Sequence, residues 1–156
     1  MKRFRVYADT SVFGGCFDDD FADESRLFFS AIRSGKYTLV VSRTTLAELR
    51  RAPEHVRQVL AELPKDAIET LEFGEQISHL LRDAYLVAGI LKAENKADAE
   101  HIASASVADV DFVVSWNFKH IVHYEKIAGY QAVNLMNGYK EIRIYSPKEV
   151  VGSEEE

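Results

Sequence analysis

Apolar residues recur along the chain with two periods, one typical of strands and one typical of helices. Short apolar or alternating segments predict strands at residues 4–8, 38–41, 67–73, 111–116 and 141–145. Helical spacing predicts helices at residues 23–33, 54–63, 75–94, 97–107, 118–124 and 126–136. A further helix should begin after Ser42 and end before Pro53. Strands separated by helices predict an α/β fold, with a mainly parallel central sheet of about five strands covered on both faces.

Length and composition indicate one globular domain. The chain has 156 residues, 47% hydrophobic and 28% charged, and no Pro-, Gly- or Ser-rich stretch divides it. We therefore expect a single domain over residues 1–151, followed by an acidic tail at 152–156 that is disordered. The apolar runs are shorter than the roughly 20 residues of a membrane span. No apolar secretory segment follows the basic N-terminus, so we expect a cytoplasmic protein with no membrane partner.

Charge and cysteine content restrict the function. The net charge of −6, from 25 acidic and 19 basic residues, argues against a protein that binds nucleic acid through its charge alone. It is compatible with an enzyme that binds nucleic acid through metal ions, because clustered carboxylates then hold the cations that face the phosphates. Cys16 is the only cysteine, which excludes an internal disulfide and a thiolate metal cluster.

Four polar residues are candidate site residues: the first ends the first predicted strand, the second lies in the first helical turns after the strand at residues 38–41, the third lies in the first turn of a later helix, and the fourth directly follows the strand at residues 111–116. They are Asp9, Glu48, Asp98 and Asn117. In a wound parallel sheet, ligands bind outside the carboxyl ends of the strands, so we expect these side chains at the same edge. Carboxylates that converge there repel one another, and a hard cation such as Mg²⁺ relieves that repulsion with oxygen ligands. Two such ions can activate a water and stabilise the leaving oxygen of a phosphodiester.

Each of these residues also has an ordinary structural interpretation. Asp9 can cap a turn with Thr10 and Ser11, and Glu48 can be a solvated helix residue. Asp98 near a helix N-terminus can simply favour the helix dipole. Asn117 is a good N-cap residue, and that role does not exclude a functional one.

Four segments in order resemble the signature of PIN-domain nucleases. They are residues 6–12, 42–49, 98–105 and 112–118. The similarity is closest to toxin ribonucleases of the VapC type, and it extends over essentially the whole chain, as far as residues 144–147. The specificity comes from the four segments together, in this order and at these intervals.

The resemblance implies a three-layer PIN-like fold and a set of site residues. Asp9, Glu48 and Asp98 correspond to the acidic ligands of Mg²⁺ or Mn²⁺, and Asn117 stands where many members place a fourth acid. A neutral amide there adds no charge, which weakens a second metal site. The implied reaction is endoribonucleolytic hydrolysis of RNA, leaving a 5′-phosphate and a 3′-hydroxyl. Thr10 or Ser11 is expected to hydrogen-bond a ligand or a phosphate.

The resemblance to toxins also implies partners. We expect a homodimer that a small antitoxin protein holds inactive. The apolar N-terminal helices, with Phe28, Phe29 and the acidic loop at residues 18–20, are the expected docking surface.

Other classes of protein share parts of this pattern. A haloacid-dehalogenase phosphatase would need a second aspartate at the position of Ser11. A receiver domain would normally have an acidic pair before its first helix. His120 and His123 are spaced as a zinc pair would be, but no third ligand lies near them in the sequence. Arg43, Arg50 and Arg51 are possible phosphate contacts or solvated helix residues. A non-catalytic RNA-binding or interaction module with a weakened site remains the main alternative.

Overall fold

A computed structural model of the chain describes residues 3–72 and 75–152. Its strands are β1 (Phe4–Ala8), β2 (Tyr37–Val41), β3 (Ile68–Thr70), β4 (Phe112–Val114) and β5 (Ile144–Tyr145). Its helices are α1 (Thr10–Gly15), α2 (Ala22–Arg33), α3 (Arg43–Arg50), α4 (Glu54–Ala61), α5 (Glu75–Val87), α6 (Lys96–Val107), α7 (Tyr124–Met136) and α8 (Pro147–Val151). Short 3₁₀ turns lie at Lys65–Ala67 and Ala93–Asn95.

The five strands form one sheet in the order β3-β2-β1-β4-β5, and every neighbouring pair is parallel. Val6 of the central strand lies opposite Leu39 on one side and Phe112 on the other. Because all strands run in the same direction, their carboxyl ends lie along one edge. The structure confirms the predicted three-layer α/β/α fold with a parallel sheet of five strands.

Alternating strand residues enter two separate cores, one on each face of the sheet. Val6 and Ala8 pack with Phe13, Phe28 and Phe29 on the face covered by α1, α2, α4 and α8. The intervening Tyr7 and Val40 pack on the opposite face, which α5, α6 and α7 cover. The largest buried side chains of that second core include Tyr85, Ile102 and Tyr130. The period of two in the strands thus supplies both hydrophobic layers.

Several boundaries differ from the sequence-based predictions. The helix predicted at residues 118–124 is wrong, because residues 118–121 form turns, a bend follows at Val122, and α7 begins at Tyr124. The side chain of His123 caps α7 by accepting a hydrogen bond from the backbone N–H of Glu125. The helix predicted to reach residue 94 ends at Val87, because Gly89 adopts a φ of +79°.

Two other helices were not predicted, and three strands are shorter than expected. Helix α1 directly follows Asp9, and the Ser146 capping box starts α8. The strands predicted at residues 67–73, 111–116 and 141–145 are reduced to β3, β4 and β5. The end of the first of these, at residue 73, lies outside the described residues.

Of the expected acidic tail at 152–156, only Gly152 belongs to the described residues. Within residues 3–72 and 75–152, no helix is long and apolar enough to cross a membrane. The prediction that Phe28 and Phe29 belong to an exposed docking surface is wrong, because both side chains are buried in the core.

Candidate functional site

The predicted site residues surround the carboxyl ends of β1, β2 and β4. Asp9 follows β1 directly, Ser42 follows β2 and Ser115 follows β4. The strand order reverses direction between β1 and β4. Strands β2 and β3 lie on one side of β1, whereas β4 and β5 lie on its other side. Such a reversal opens a crevice at the carboxyl edge, which is where ligands bind in open α/β sheets.

Asp9 is a buried carboxylate that is not used to cap a helix. Its backbone is the N-cap of α1, but its side chain makes no capping hydrogen bond and is only 4% exposed. The hydroxyl of Ser11 donates to Asp9 Oδ1 at 2.5 Å, and Ser115 also hydrogen-bonds the carboxylate. Burial raises the pKa of Asp9, the charge of His101 opposes that shift, and the nearby charge of Asp98 adds to it.

Asp98 lies in the first turn of α6, half-buried and within electrostatic reach of the other acids. Burial raises its pKa, the charges of His101 and His120 oppose the shift, and the charge of Glu48 adds to it. Asn117 hydrogen-bonds the carboxylate of Asp98 and so favours its ionised form. The amide oxygen of Asn117 accepts from the backbone N–H of His120 at 2.9 Å, which leaves its NH₂ group as the donor to Asp98.

Glu48, on α3, is held by two donors from different elements. The hydroxyl of Thr10 donates to Glu48 Oε1 at 3.1 Å, and Nε2 of His101 hydrogen-bonds the same oxygen. Burial alone would raise the pKa of Glu48, but the hydrogen bonds and charge of these partners outweigh it and lower the pKa. Thr10 therefore orients the carboxylate of Glu48, and Ser11 orients that of Asp9. Both residues were expected to act near the site.

His101 is a site residue that the sequence analysis did not single out. It is 2% exposed, and its Nδ1 lies 2.6 Å from the hydroxyl of Tyr7. That hydroxyl also lies 2.7 Å from Ser42 Oγ. Burial would lower the pKa of His101, but the oxygen of Tyr7 and the carboxylates of Glu48 and Asp9 outweigh it and raise the pKa well above its ordinary value. A doubly protonated ring donates from both nitrogens, one to each neighbour.

A signal for His101 was present in the sequence. It lies three residues after Asp98 on the same helix, and residues at this spacing share a face. Its neighbours Ile102, Ala103 and Ala105 are all buried. A histidine at such an apolar position requires polar partners, but the sequence does not show that these are Tyr7 and Glu48.

The structure thus brings all four predicted residues to one edge, where the charge of Asp98 acts on Asp9 and the charge of Glu48 acts on Asp98. Among residues 3–72 and 75–152, however, no three His, Cys, Asp or Glu side chains are gathered closely enough to hold a metal ion. The donor chemistry still fits a hard divalent cation, because Asp9 and Asp98 are oxygen ligands whose pKa values burial raises. A cation would neutralise both carboxylates and remove the cost of their burial.

Other polar residues near the site have different contacts. Glu100, two positions after Asp98, forms ion pairs with Arg82 and with His79, the latter at 3.1 Å. His123 caps α7 through its Nδ1, and within the described ranges no group of three metal-ligating side chains includes His120 and His123. A groove of about 360 Å³ lies beside Glu48, and Arg43 and Arg51 are among its lining residues.

The fold and site define a parallel α/β protein with acidic residues at the carboxyl edge of its central strands. The model of the PIN domain family matches residues 5–119, which include Asp9, Glu48, Asp98 and Asn117. The chain belongs to the PIN domain family. PIN domains are in general nucleases and typically use divalent metal ions. A search of curated proteins gives no match.

Proposed function

We propose that this chain is a divalent-metal-dependent endoribonuclease that hydrolyses RNA phosphodiester bonds. The observation that supports it most directly is the buried carboxylate of Asp9 at the β1–β4 crevice of a PIN domain, with the charge of Asp98 near enough to act on it. Burial of two interacting carboxylates destabilises a protein unless a cation or a proton neutralises them. A site maintained at that cost is typical of function rather than of stability.

Asp9, Asp98 and Glu48 are the residues that would hold Mg²⁺ or Mn²⁺. Such an ion would supply positive charge and water activation for phosphodiester hydrolysis. Around it, Ser11 orients Asp9, and Thr10 orients Glu48. These hydrogen bonds keep each carboxylate in one orientation, which is what second-layer partners contribute at metal sites.

Asn117 has a separate part in the proposed site. Its NH₂ group orients Asp98, while its amide oxygen holds the turn at His120. This arrangement favours the ionised form of Asp98, against the effect of its burial, but adds no fourth carboxylate. Binding of a first cation is therefore expected to be tighter than binding of a second.

A cleavage assay tests the proposal. A fluorogenic single-stranded RNA is incubated with the purified chain in Mn²⁺ or Mg²⁺, with chelator, and with the Asp9→Asn variant. We expect cleavage only with metal and only by the native sequence. Cleavage that survives the chelator, or that Asp9→Asn leaves unchanged, would sink the proposal.

The second candidate is a PIN-like module that binds RNA without cutting it. It is favoured by Asn117, because this neutral amide, which contacts Asp98, stands at the position where many family members place a fourth acid. The same assay, combined with RNA binding measured by fluorescence anisotropy, separates the two. Binding without cleavage over a range of metal concentrations would support the module.

We further propose that the nuclease is a homodimer and the toxin of a type II toxin–antitoxin pair. With Phe28 and Phe29 buried, the surface left near the acidic loop includes the partly exposed Phe17 and Leu27. Light scattering measures the number of copies in solution, and co-expression with the product of any short neighbouring reading frame tests for an inhibitor. A monomer that no neighbouring product inhibits would contradict this assignment without affecting the nuclease proposal.

A further inference from the structure

A second groove, of about 310 Å³, lies beside His120 and is separate from the one beside Glu48. It lies between the segment after α5 and the turn that follows Asn117, and α7 contributes to it as well. Its charged residues are Lys92, Lys119, Lys126 and Glu94. We call it the lysine groove.

Positive charge is concentrated in the lysine groove although the chain as a whole carries −6. Three lysines and one glutamate line it. The groove beside Glu48 has the opposite balance. Its charged lining residues are Arg43, Arg51, Glu48, Glu75 and Glu100. Of these two grooves, only the lysine groove offers net positive charge to a polyanion.

The lysine groove adjoins the acidic site through His120. This residue lines the groove, and its charge acts on the carboxylate of Asp98. Its backbone N–H is held by Asn117, so the turn has a fixed position relative to the site. Lys126 is also anchored, because its Nζ donates to the carbonyl of Ile90 at 2.7 Å. The lysine groove therefore borders the turn that Asn117 connects to the acidic site.

His120 also carries an unmet hydrogen-bonding group. Within the described part of the chain, its Nδ1 is the one buried side-chain nitrogen or oxygen without a partner. An unpaired buried polar atom is costly and calls for an explanation. An oxygen of a ligand in the lysine groove, which His120 lines, would give this nitrogen a partner.

We propose that the lysine groove binds the phosphate backbone of single-stranded RNA that flanks the bond to be cut. This inference rests on the proposed ribonuclease function and names the surface that its substrate uses. Lys92 and Lys119 are exposed and supply charge to successive phosphates, while Lys126 lies at the wall of the groove. Contacts of this kind set affinity and position rather than sequence preference.

Binding is tested in the full chain carrying Asp9→Asn, with chelator present, so that no RNA is cut. A fluorescein-labelled single-stranded RNA of about 20 nucleotides, long enough to span several phosphate contacts, is titrated by anisotropy at several salt concentrations. The test variant adds Lys92→Gln and Lys119→Gln. The matched control adds Lys65→Gln, an exposed lysine before β3 and thus at the amino edge of the sheet.

We expect the double lysine variant to bind about tenfold more weakly at low salt, with a salt slope smaller by about 1.4. Lys65→Gln should leave both values unchanged. As a second measurement, bound RNA should protect Lys92 and Lys119, but not Lys65, from acetylation. Equal loss in both variants, no loss in either, or no RNA binding at all would overturn the inference. If the native chain does not cleave RNA with any metal, while the Asp9→Asn chain binds RNA through Lys92 and Lys119, the binding role of the groove is supported and the nuclease proposal is contradicted.

Discussion

Glu48 and His101 form a hydrogen-bonded ion pair where α3 packs against α6, with the ring fully buried and the carboxylate partly exposed. The pair continues through Nδ1 of His101 to the hydroxyl of Tyr7, in the central strand. It thus connects a proposed metal ligand to the middle of the sheet. A carboxylate fixed in this way is oriented before any cation binds, which reduces the entropy lost on binding.

Replacing His101 should lower the stability of the fold as well as release the carboxylate of Glu48 from its fixed orientation. In His101→Gln, Tyr7 and Glu48 lose the two donors of the ring, and we expect the free energy of unfolding to fall by about 2 kcal/mol. The matched control is His79→Gln, which removes a partly exposed histidine that also pairs with a glutamate, Glu100. Because exposed pairs contribute little, the control should lose less than about 0.5 kcal/mol. Urea denaturation measures both, and equal losses would show that the buried pair has no special role.

The stabilisation by this pair should depend on pH in both directions. The pKa of His101 is raised above 6.5, so its contribution is complete below pH 6.5 and is lost as the pH rises through the raised value. The pKa of Glu48 is lowered from 4.5, so its contribution is complete above pH 4.5 and is lost as the pH falls through the lowered value. The difference in unfolding free energy between the native chain and His101→Gln should therefore be largest between pH 4.5 and 6.5. Denaturation in chelator from pH 3 to 9 measures it, and a difference independent of pH would contradict the ion pair.

The fold was predictable because burial on both faces leaves a strong pattern in the strands. Leu39 and Val41 enter one core and Val40 the other, so the apolar run indicated a covered strand. Helix α1 was not predicted, because Gly14 and Gly15 are poor helix formers. Packing overrides that propensity, since the space at Gly15 is filled by Ser25 and Trp116.

The site residues were predictable from their positions just after a strand or in the first turns of a helix. Asp9 comes directly after β1, and the parallel sheet brings it near Asp98 although 89 positions separate them. The partners of His101 lie 53 and 94 positions away, and no local pattern indicates them. Charge complementarity between buried groups is a property of the packed structure, so it became visible only in three dimensions.

Asp9→Asn should separate function from stability. Burial raises the pKa of Asp9 from 3.8, so in chelator its charge destabilises the fold increasingly as the pH rises through the raised value. The neutral amide avoids this effect, and we expect the variant to be at least as stable as the native chain at pH 7 in chelator. Cleavage should fall at least about 100-fold, since a cation ligand is lost.

Metal-dependent unfolding provides the second readout for Asp9→Asn. Mn²⁺ at 100 times its dissociation constant should stabilise the native chain by about 2.7 kcal/mol and the variant far less. Asp66→Asn, which changes an exposed acid before β3, serves as the control and should respond to metal as the native chain does. Equal stabilisation of all three chains would place the cation elsewhere.

Gly15 should be required for the packing that supports Asp9, whereas Gly14 should not be required for it. A Cβ at Gly15 would lie 2.6 Å from Ser25 Oγ and 2.8 Å from Trp116 Nε1, which are themselves hydrogen-bonded. We expect Gly15→Ala to lower the free energy of unfolding by about 1–3 kcal/mol. The backbone N–H of Trp116 donates to Ser11 Oγ, which in turn donates to Asp9, so the displacement should also reduce cleavage.

Gly14→Ala is the matched control, because a Cβ there meets no atom within 4 Å. Alanine is the better helix former, so this variant should be unchanged or more stable by up to about 1 kcal/mol. Trp116 is the only tryptophan, and its fluorescence reports the packing at Gly15 directly. We expect a shifted emission maximum in Gly15→Ala and a native one in Gly14→Ala. If both variants showed native emission and equal stability, the contact between Gly15 and Trp116 would not hold this edge of the site in place.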